Sequence, residues 1–387
     1  MHNSIKKHIP YGRQTIDSAD VSAVSKVLRS DFLTQGPTVA TFEECVAQYC
    51  GVTYAVSFSS GTAALHGACF AAGITKDDEV ITTAMTFAAS ANCVLYMGGK
   101  PVLIDVGSNI PLIDPSKIEE KITKKTKAII PVDFAGIPCD YKLINKIARK
   151  HNVLVIADGA HSLGALYKGK LIGTQADMTM FSFHPVKLIT TGEGGMIVTN
   201  NKKLYERLLL FRTHGITKDQ KYIRKNQGPW YYEMQELGFN YRLTDIQAAL
   251  GMSQMKKIHT FLKKRQSIAK RYDAAFKNHS LITPITVPHD RVSAWHLYPV
   301  RIPVKTMKEK KQLVESLHAK GIYVQVHYIP VHLHPFYQKL GYKKGDYIEA
   351  ERFYLEELSL PMYPLLKVEE QEYVIETLRG IVEKFRG

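Results

Sequence analysis

Residues 181–195 read FSFHPVKLITTGEGG, with one lysine, Lys187, set among Phe, Val, Leu and Ile. An amine in such surroundings has two uses. It can snorkel its charge out of a half-buried segment, or it can be kept neutral so that it attacks a carbonyl carbon. Nearer the N-terminus, VLVIADGAHSLGA runs an apolar strand candidate into Asp158, with His161 close behind. A carboxylate there either caps a following helix or faces a ligand, because ligands of parallel α/β sheets sit at the carboxyl ends of strands. In SFSSGTAALHGACF a strand candidate stops at Ser59-Ser60-Gly61-Thr62 before a helix of small residues. Exposed N–H groups at a helix N-terminus favour a phosphate, and Gly61 lets an anion approach the backbone; a plain N-cap is the other reading. TTAMTFAASANC places Phe87 just past another strand end, either as core or as a cover for a planar ring.

Together these groups fit one cofactor, pyridoxal phosphate. It needs a lysine for its aldehyde, a carboxylate opposite the ring nitrogen, a phosphate cup, an aromatic against the ring and a donor near the phenolate oxygen. Lys187, Asp158, Gly61–Thr62 with Ser182, Phe87 and His161 supply one each.

The elements that must position them follow from hydrophobic patterning. YAVSF, EVITT, PVLID, KAIIPV, VLVIAD, DMTMFSF and GMIVTN are strand candidates, and amphipathic stretches such as TAALHGACFAAG and CDYKLINKIARKHN separate most of the early ones. This alternation predicts a largely parallel sheet covered by helices on both faces. The last two candidates stand too close for a crossover helix, so they are expected to pair antiparallel around a loop that carries Lys187. Helical patterns dominate after residue 200, through QAALGMSQMKKIHTFLKKRQSIAKRYDAAF, and strands alternate with helices again from WHLYPVRI onward. The expected division is a large α/β domain over 1–260 and a small α+β domain over 261–387, with the boundary inside a long helix near 255–275.

The 387 residues are 45% apolar and 22% charged, as in ordinary globular proteins. No run approaches the ~18 apolar residues of a membrane span, and no membrane partner is expected. MHNSIKKHIPYGRQ lacks the apolar core of a secretion signal and soon turns helical, so a cytoplasmic location is expected. Cys45, Cys50, Cys69, Cys93 and Cys139 form no C-x-x-C pair; Cys45 and Cys50 flank a helical pattern, and all five read as buried free thiols in a reducing compartment. The net charge of +15 suits a nucleic-acid surface or phosphorylated small molecules. The lysines are scattered through helical segments with no recognised nucleic-acid module, so a solvated basic surface and no nucleic-acid partner are expected. His327, His332 and His334 cluster in VQVHYIPVHLHPFY, and imidazoles bind transition metals; the cofactor chemistry needs none, and no metal is expected. Arg242 beside Asn240 either grips a carboxylate or phosphate or pairs with Asp245.

DGAHSLGA, FSFHPVKLITTGEGG and GFNYRLTDIQAALG resemble the DegT/DnrJ/StrS family of pyridoxal-phosphate sugar aminotransferases, and the similarity runs over nearly the whole chain. IPYGRQTIDSADVSAVSKVLRSDFLTQGP, HGITKD and GIYVQVHYIPVH look like the branch that aminates C4 of a UDP-4-keto-6-deoxy-N-acetylhexosamine in pseudaminic acid biosynthesis. The resemblance implies an aspartate-aminotransferase-like α/β fold (fold type I) with a mostly parallel, seven-stranded sheet and a smaller α+β C-terminal domain. It also implies a homodimer with active sites at the subunit interface. By matching position, Lys187 bonds the cofactor aldehyde, Asp158 faces the ring nitrogen and His161 stands near the phenolate oxygen. Ser182 and the Ser60-Gly61-Thr62 turn hold the phosphate, which Asn240 of the partner subunit also reaches. The matching nucleotide-sugar site comprises Tyr11, Asp31, Phe32, Leu33, Thr34, Gln325, Val326, His327 and Tyr328, with Gly61, Ser182 and Asn240 shared. Relatives with histidine in place of the lysine are dehydratases, so retained Lys187 implies transamination. The implied reaction is ping-pong: L-glutamate gives the amino group and the keto sugar takes it, yielding UDP-4-amino-4,6-dideoxy-N-acetyl-β-L-altrosamine. Another UDP- or dTDP-keto-deoxysugar as acceptor, or a regulator that binds the cofactor without turnover, are the alternatives.

Overall fold

Seven short apolar runs pair into one sheet: β1 (Tyr54–Phe58), β2 (Glu79–Thr83), β3 (Lys100–Ile104), β4 (Thr126–Ile130), β5 (Leu154–Asp158), β6 (Met178–Ser182) and β7 (Gly195–Thr199). The computed structural model describes residues 8–384; residues 1–7, on which part of the secretion-signal expectation rests, and 385–387 lie outside the described residues. The spatial order is β1-β7-β6-β5-β4-β2-β3. Every neighbouring pair is parallel except those of β7, which runs antiparallel to both β6 and β1. Adjacent residues of each strand point to opposite faces, and both faces are covered. Val56, Val80, Ile156 and Ile197 join one apolar layer, while Ala55, Ile81, Val155 and Val198 join the other. Burial on both sides is why these strands read as unbroken apolar runs.

The covering helices are α1 (Ser18–Leu28), α2 (Pro37–Cys50), α3 (Gly61–Ala71), α4 (Ala89–Tyr96), α5 (Tyr141–His151), α6 (Lys202–Arg212) and α7 (Asp245–Met255). The segment of α3 was expected to be amphipathic, but every residue from Ala63 to Ala71 is buried. Its small side chains let it pack against the sheet on one side and α4 and α6 on others. The antiparallel turn of β7 places Gly195 beside the start of α3. A Cβ at Gly195 would fall 2.4 Å from the Ser60 carbonyl oxygen and 2.7 Å from the Gly61 nitrogen, so only glycine fits. Cys45 lies within α2 and Cys50 ends it, because the helix already starts at Pro37 in the favoured first position; they do not flank it. All five cysteines are free, but only Cys50, Cys69, Cys93 and Cys139 are buried; Cys45 is half-buried on α2 rather than buried as expected.

The helical run after residue 244 breaks at Lys256–Lys257 into α7 and α8 (Ile258–Phe276). Helix α8 belongs to two cores. Ile258, Phe261 and Leu262 join one of the layers under the large sheet; Ile268, Tyr272 and Phe276 join a separate core with Tyr298, Leu317, Leu358 and Leu378. That second core backs an antiparallel sheet of β8 (Thr283–Pro284), β9 (Tyr298–Arg301) and β10 (Glu357–Leu360). The helices of this part are α9 (Met307–Ala319), α10 (Ile348–Glu356) and α11 (Val368–Lys384). The N-terminal segment is clamped here too. Ile9–Pro10 pairs parallel with Ile322–Tyr323, Ile9 enters the second core, and the Met362 amide donates to the Tyr11 carbonyl at 2.8 Å. This clamp fixes Tyr11 beside the segment that follows Ile322.

Candidate active site

Parallel strands aim their carboxyl ends at one rim, and β1, β2, β5 and β6 end there. A cavity of about 380 Å³ opens at this rim. Ser60, Gly61 and Thr62 reach it from the start of α3, and Phe87 from the segment after β2. Asp158 and His161 come from the end of β5, Ser182 from the end of β6 and Lys187 from the short β6–β7 connection. Tyr11, His327 and Tyr328 close it from the side of the second core. Residues separated by most of the chain thus face one space.

Lys187 is half-buried and lines the cavity. Loss of hydration lowers its pKa to about 8, against a smaller opposing pull from the Asp158 charge. Its Nζ lies 3.5 Å from Nε2 of His296, a buried ring whose Nδ1 has no hydrogen-bond partner among the described residues. Asp158 is buried, and desolvation raises its pKa from its ordinary value, against the stabilising contacts of Ser90 and the Ala160 amide and the Lys187 charge. The Ser90 hydroxyl donates to its Oδ2 at 2.6 Å and the Ala160 amide to its Oδ1 at 3.1 Å. Ser90 in turn contacts the Thr86 hydroxyl at 2.7 Å; with its own proton given to Asp158, it accepts from Thr86. No helix follows Asp158 directly, so it turns its own loop and lines the cavity instead of capping a helix.

His161 is locked by both nitrogens. The Ala135 amide donates to Nδ1 at 3.2 Å, which puts the ring proton on Nε2, 3.0 Å from the Tyr328 hydroxyl. Burial keeps this imidazole neutral by driving its pKa well down, and the Lys187 and His327 charges push the same way. Phe87 is 60% exposed at the cavity mouth, with its ring centroid 5.9 Å from that of Tyr328. At the opposite end, Ser60 Oγ accepts from the Ala63 amide at 3.1 Å and caps α3. The amides of Gly61 and Thr62, in the first helical turn, have no intrahelical acceptor and point to an anion site. A Cβ at Gly61 would come within 3.3 Å of Ser182 Oγ, so that hydroxyl belongs to the same anion end.

Other residues singled out from the sequence stand outside this cavity. Asp31, Phe32, Leu33 and Thr34 are exposed, and Thr34 forms a bridge to Thr244. Asn240 is exposed and bridges to Thr213. Gln325 is exposed and bridges to Ser359, while Val326 packs against the second core. The alternative Arg242–Asp245 ion pair does not form. Asp245 is buried with both carboxylate oxygens taken, accepting from the amides of Gly36 at 2.8 Å and Thr38 at 2.9 Å. His332 pairs with Glu351 at 2.8 Å, and among the described residues no group of three or more His, Cys, Asp or Glu could hold a metal. No described helix is long and apolar enough to cross a membrane. The sequence reading missed Thr86, Ser90 and His296. The spacing of Thr86 and Ser90 at i, i+4 just past a strand end was a usable signal; His296, in SAWHLYP, offered none before folding.

A neutralisable amine, a buried carboxylate across the cavity and a helix N-terminus with a hydroxyl match the aldehyde, ring nitrogen and phosphate of pyridoxal phosphate. The donor set fits that cofactor. Comparison with known proteins agrees. The DegT/DnrJ/EryC1/StrS aminotransferase family model matches residues 14–379. The chain is 41% identical over 383 residues to the UDP-4-amino-4,6-dideoxy-N-acetyl-beta-L-altrosamine transaminase of Campylobacter jejuni strain 81-176, covering 98% of each. Its structure is similar to that of Helicobacter pylori PseC, an aminotransferase involved in the biosynthesis of pseudoaminic acid. There the TM-score is 0.91 at 36% identity, over 98% of this chain and 100% of that one. It is also similar to Spr1654 of Streptococcus pneumoniae, assigned as a sugar aminotransferase and solved in a PLP-form. The TM-score is 0.92 at 32% identity, over 97% and 99% of the two chains. With the family matched across almost its whole length and the lysine, carboxylate and anion end in one cavity, the chain belongs to the DegT/DnrJ/EryC1/StrS aminotransferase family, as a pyridoxal-phosphate enzyme of fold type I.

Proposed function

We propose that the chain moves an amino group from L-glutamate to C4 of a UDP-4-keto-6-deoxy-N-acetylhexosamine, giving UDP-4-amino-4,6-dideoxy-N-acetyl-β-L-altrosamine in a pseudaminic acid pathway. One observation carries the reading: Lys187 and Asp158 face a single cavity that Tyr11, His327 and Tyr328 border from the C-terminal side. The kinship with the Campylobacter enzyme supports the choice of sugar. The net charge of +15 suits an anionic diphosphate substrate.

Pyridoxal phosphate supplies a ring that takes up the electron pair left when a proton leaves the amine-bearing carbon. The chain supplies the rest. Lys187 would hold the cofactor through its aldehyde, and the free Nζ, neutral above pH about 8, would take a proton from the donor's α-carbon and give one to C4 of the sugar. Asp158 holds a proton at the ring nitrogen, with its carboxylate oriented by Ser90 and the Ala160 amide. Ser60, Gly61, Thr62 and Ser182 hold the phosphate, and Phe87 and His161 border the ring. Asp31, Phe32, Leu33, Thr34, Gln325 and Val326 complete the nucleotide-sugar site with Tyr11, His327 and Tyr328. Asn240, exposed and outside its own chain's cavity, serves the phosphate of the partner subunit in a homodimer. The enzyme works in the cytoplasm, and its chain divides into domains at 1–260 and 261–387, within the helix that joins the two cores.

The test is a coupled assay with L-glutamate and a panel of UDP- and dTDP-4-keto-6-deoxysugars, with products identified by mass spectrometry and NMR. The altrosamine product is expected at the highest kcat/KM. Preferred turnover of a dTDP sugar would move the assignment to that alternative, and cofactor binding without turnover of any sugar would favour a regulator.

A further inference from the structure

Behind His327, on the side away from the cavity, lies a buried polar chain that the proposed chemistry does not use. His327 Nδ1 stands 2.8 Å from Ser359 Oγ. Ser359 Oγ donates to Oε1 of Glu357 at 2.5 Å, and the other oxygen of Glu357 accepts the backbone amide of His327 at 2.9 Å. Both Glu357 and Ser359 are wholly buried in β10. Such a chain is not needed to hold the strand, since Ser359 and Gln325 already exchange main-chain hydrogen bonds.

We propose that Glu357 and Ser359 are positioning residues that hold His327 as the Nδ1–H tautomer, so that Nε2 offers a lone pair to a hydroxyl of the hexose being aminated. The proton count fixes the direction. Burial raises the pKa of Glu357 to about 7, and above that pH it is a carboxylate, which only accepts; the single proton of Ser359 then goes to Glu357, and the serine lone pair must take the proton of Nδ1. Nε2 is left unprotonated. It has no partner among the described residues, and it belongs to a ring that lines the cavity. The ring stays neutral, because burial pushes its pKa down to about 3, with the Lys187 charge acting in the same direction. His327 and Lys187 line the same cavity, so the hydroxyl it meets is assigned to the hexose, whose C4 must reach that amine, rather than to the nucleotide. Lys310, buried on α9 and donating to the Tyr354 carbonyl, lowers the pKa of Glu357 against the larger upward push of burial. The groups facing Glu357 are therefore Lys310, His327, Ser359 and, through its charge, Tyr328.

This assignment rests on the sugar-amination reading for the identity of the hydroxyl, but not for the tautomer. The tautomer is read on the holoenzyme by NMR with ¹⁵N-labelled histidine at mildly alkaline pH, with His327 assigned by loss of its signals in His327→Gln. The parent should show a protonated Nδ1 and a bare Nε2. In Glu357→Gln the amide must keep its oxygen on the His327 backbone N–H and turn its NH₂ to Ser359. The serine proton then points at Nδ1, and the ring should invert to Nε2–H. Ser359→Ala should lose the single tautomer and Ser359→Thr should keep it. In both Glu357→Gln and Ser359→Ala, KM for the keto sugar should rise roughly tenfold, the scale of one lost buried hydrogen bond. The half-reaction with L-glutamate and the inhibition constant of free UDP should not move. A parent ring protonated on Nε2, or a Glu357→Gln ring unchanged from the parent, overturns the proposal. A parallel loss of UDP affinity overturns the assignment to the hexose. A parent that aminates no sugar while the tautomers respond as expected counts against the proposed function and leaves the positioning roles standing.

Discussion

Lys187 and Asp158 divide the work of one site by environment. Asp158 is buried and Lys187 half-buried, and loss of hydration disfavours charge on each: it lowers the lysine pKa to about 8 and raises that of the aspartate. At pH 7.5 an amine of pKa about 8 is roughly a quarter neutral, against about a thousandth for an ordinary lysine. Attachment of pyridoxal phosphate to the cofactor-free protein requires the neutral amine. Its rate, followed by absorbance, should therefore rise about tenfold per pH unit below 8 and level off above. A plateau beginning only near 10 would mean that Lys187 is solvated. Lys187→Ala should fold and lose turnover, and borohydride reduction of the parent should fix the cofactor to the Lys187 peptide alone; a different tagged lysine would displace the assignment. Asp158→Asn should still take up cofactor but lose at least ~100-fold in kcat, the size typical of a lost electrostatic stabiliser. Near-parental kcat in steady-state assays would reduce Asp158 to a turn former.

Elements matter here for where they stop. The β6–β7 connection is a short loop because an antiparallel return needs no crossover, and that brevity holds Lys187 at the rim. At the far side of the same region, α2 is capped by a residue of another helix: Asp245 of α7 accepts the Gly36 and Thr38 amides. Asp245→Ala leaves both half-buried amides without this acceptor and should cost about 1 kcal/mol in denaturant unfolding. Arg242→Ala breaks no ion pair and should stay within about 0.5 kcal/mol. Equal losses for the two would revive the salt-bridge reading. Strand positions and helix types were legible because each β-strand of the large sheet is a compact apolar run. The character of α3 was not: a helix buried all round and one with a single buried face differ in their neighbours, which local pattern does not contain.

At the scale of the whole molecule the question is how many chains make a site. Asn240 is exposed and apart from its own cavity, yet it occupies the position that family resemblance assigns to a phosphate contact in the neighbouring subunit. If each site draws on two chains, mixing Lys187→Ala with Asn240→Ala subunits should yield dimers in which one site carries both lesions and the other neither. Activity should then exceed the sum of the two pure mutants, with exchange verified by native mass spectrometry. Verified exchange without recovery would place Asn240 within its own chain. The experiment needs Asn240→Ala to be clearly impaired by itself.

The sequence by itself determined the parallel sheet, the antiparallel return that carries Lys187, and a set of candidate side chains at strand and helix ends. These are local properties: period, turn residues and apolar runs persist whatever the rest of the chain does. Tertiary structure decided what lies across the cavity from what. His296 comes within reach of Lys187 from more than a hundred residues away, and Ser90 reaches Asp158 from the first turn of α4. Glu357 and Ser359 gain their meaning only because β10 passes behind His327. Proton positions, burial and pKa depend on which groups pack together over long separations, and only the folded chain brings those groups together.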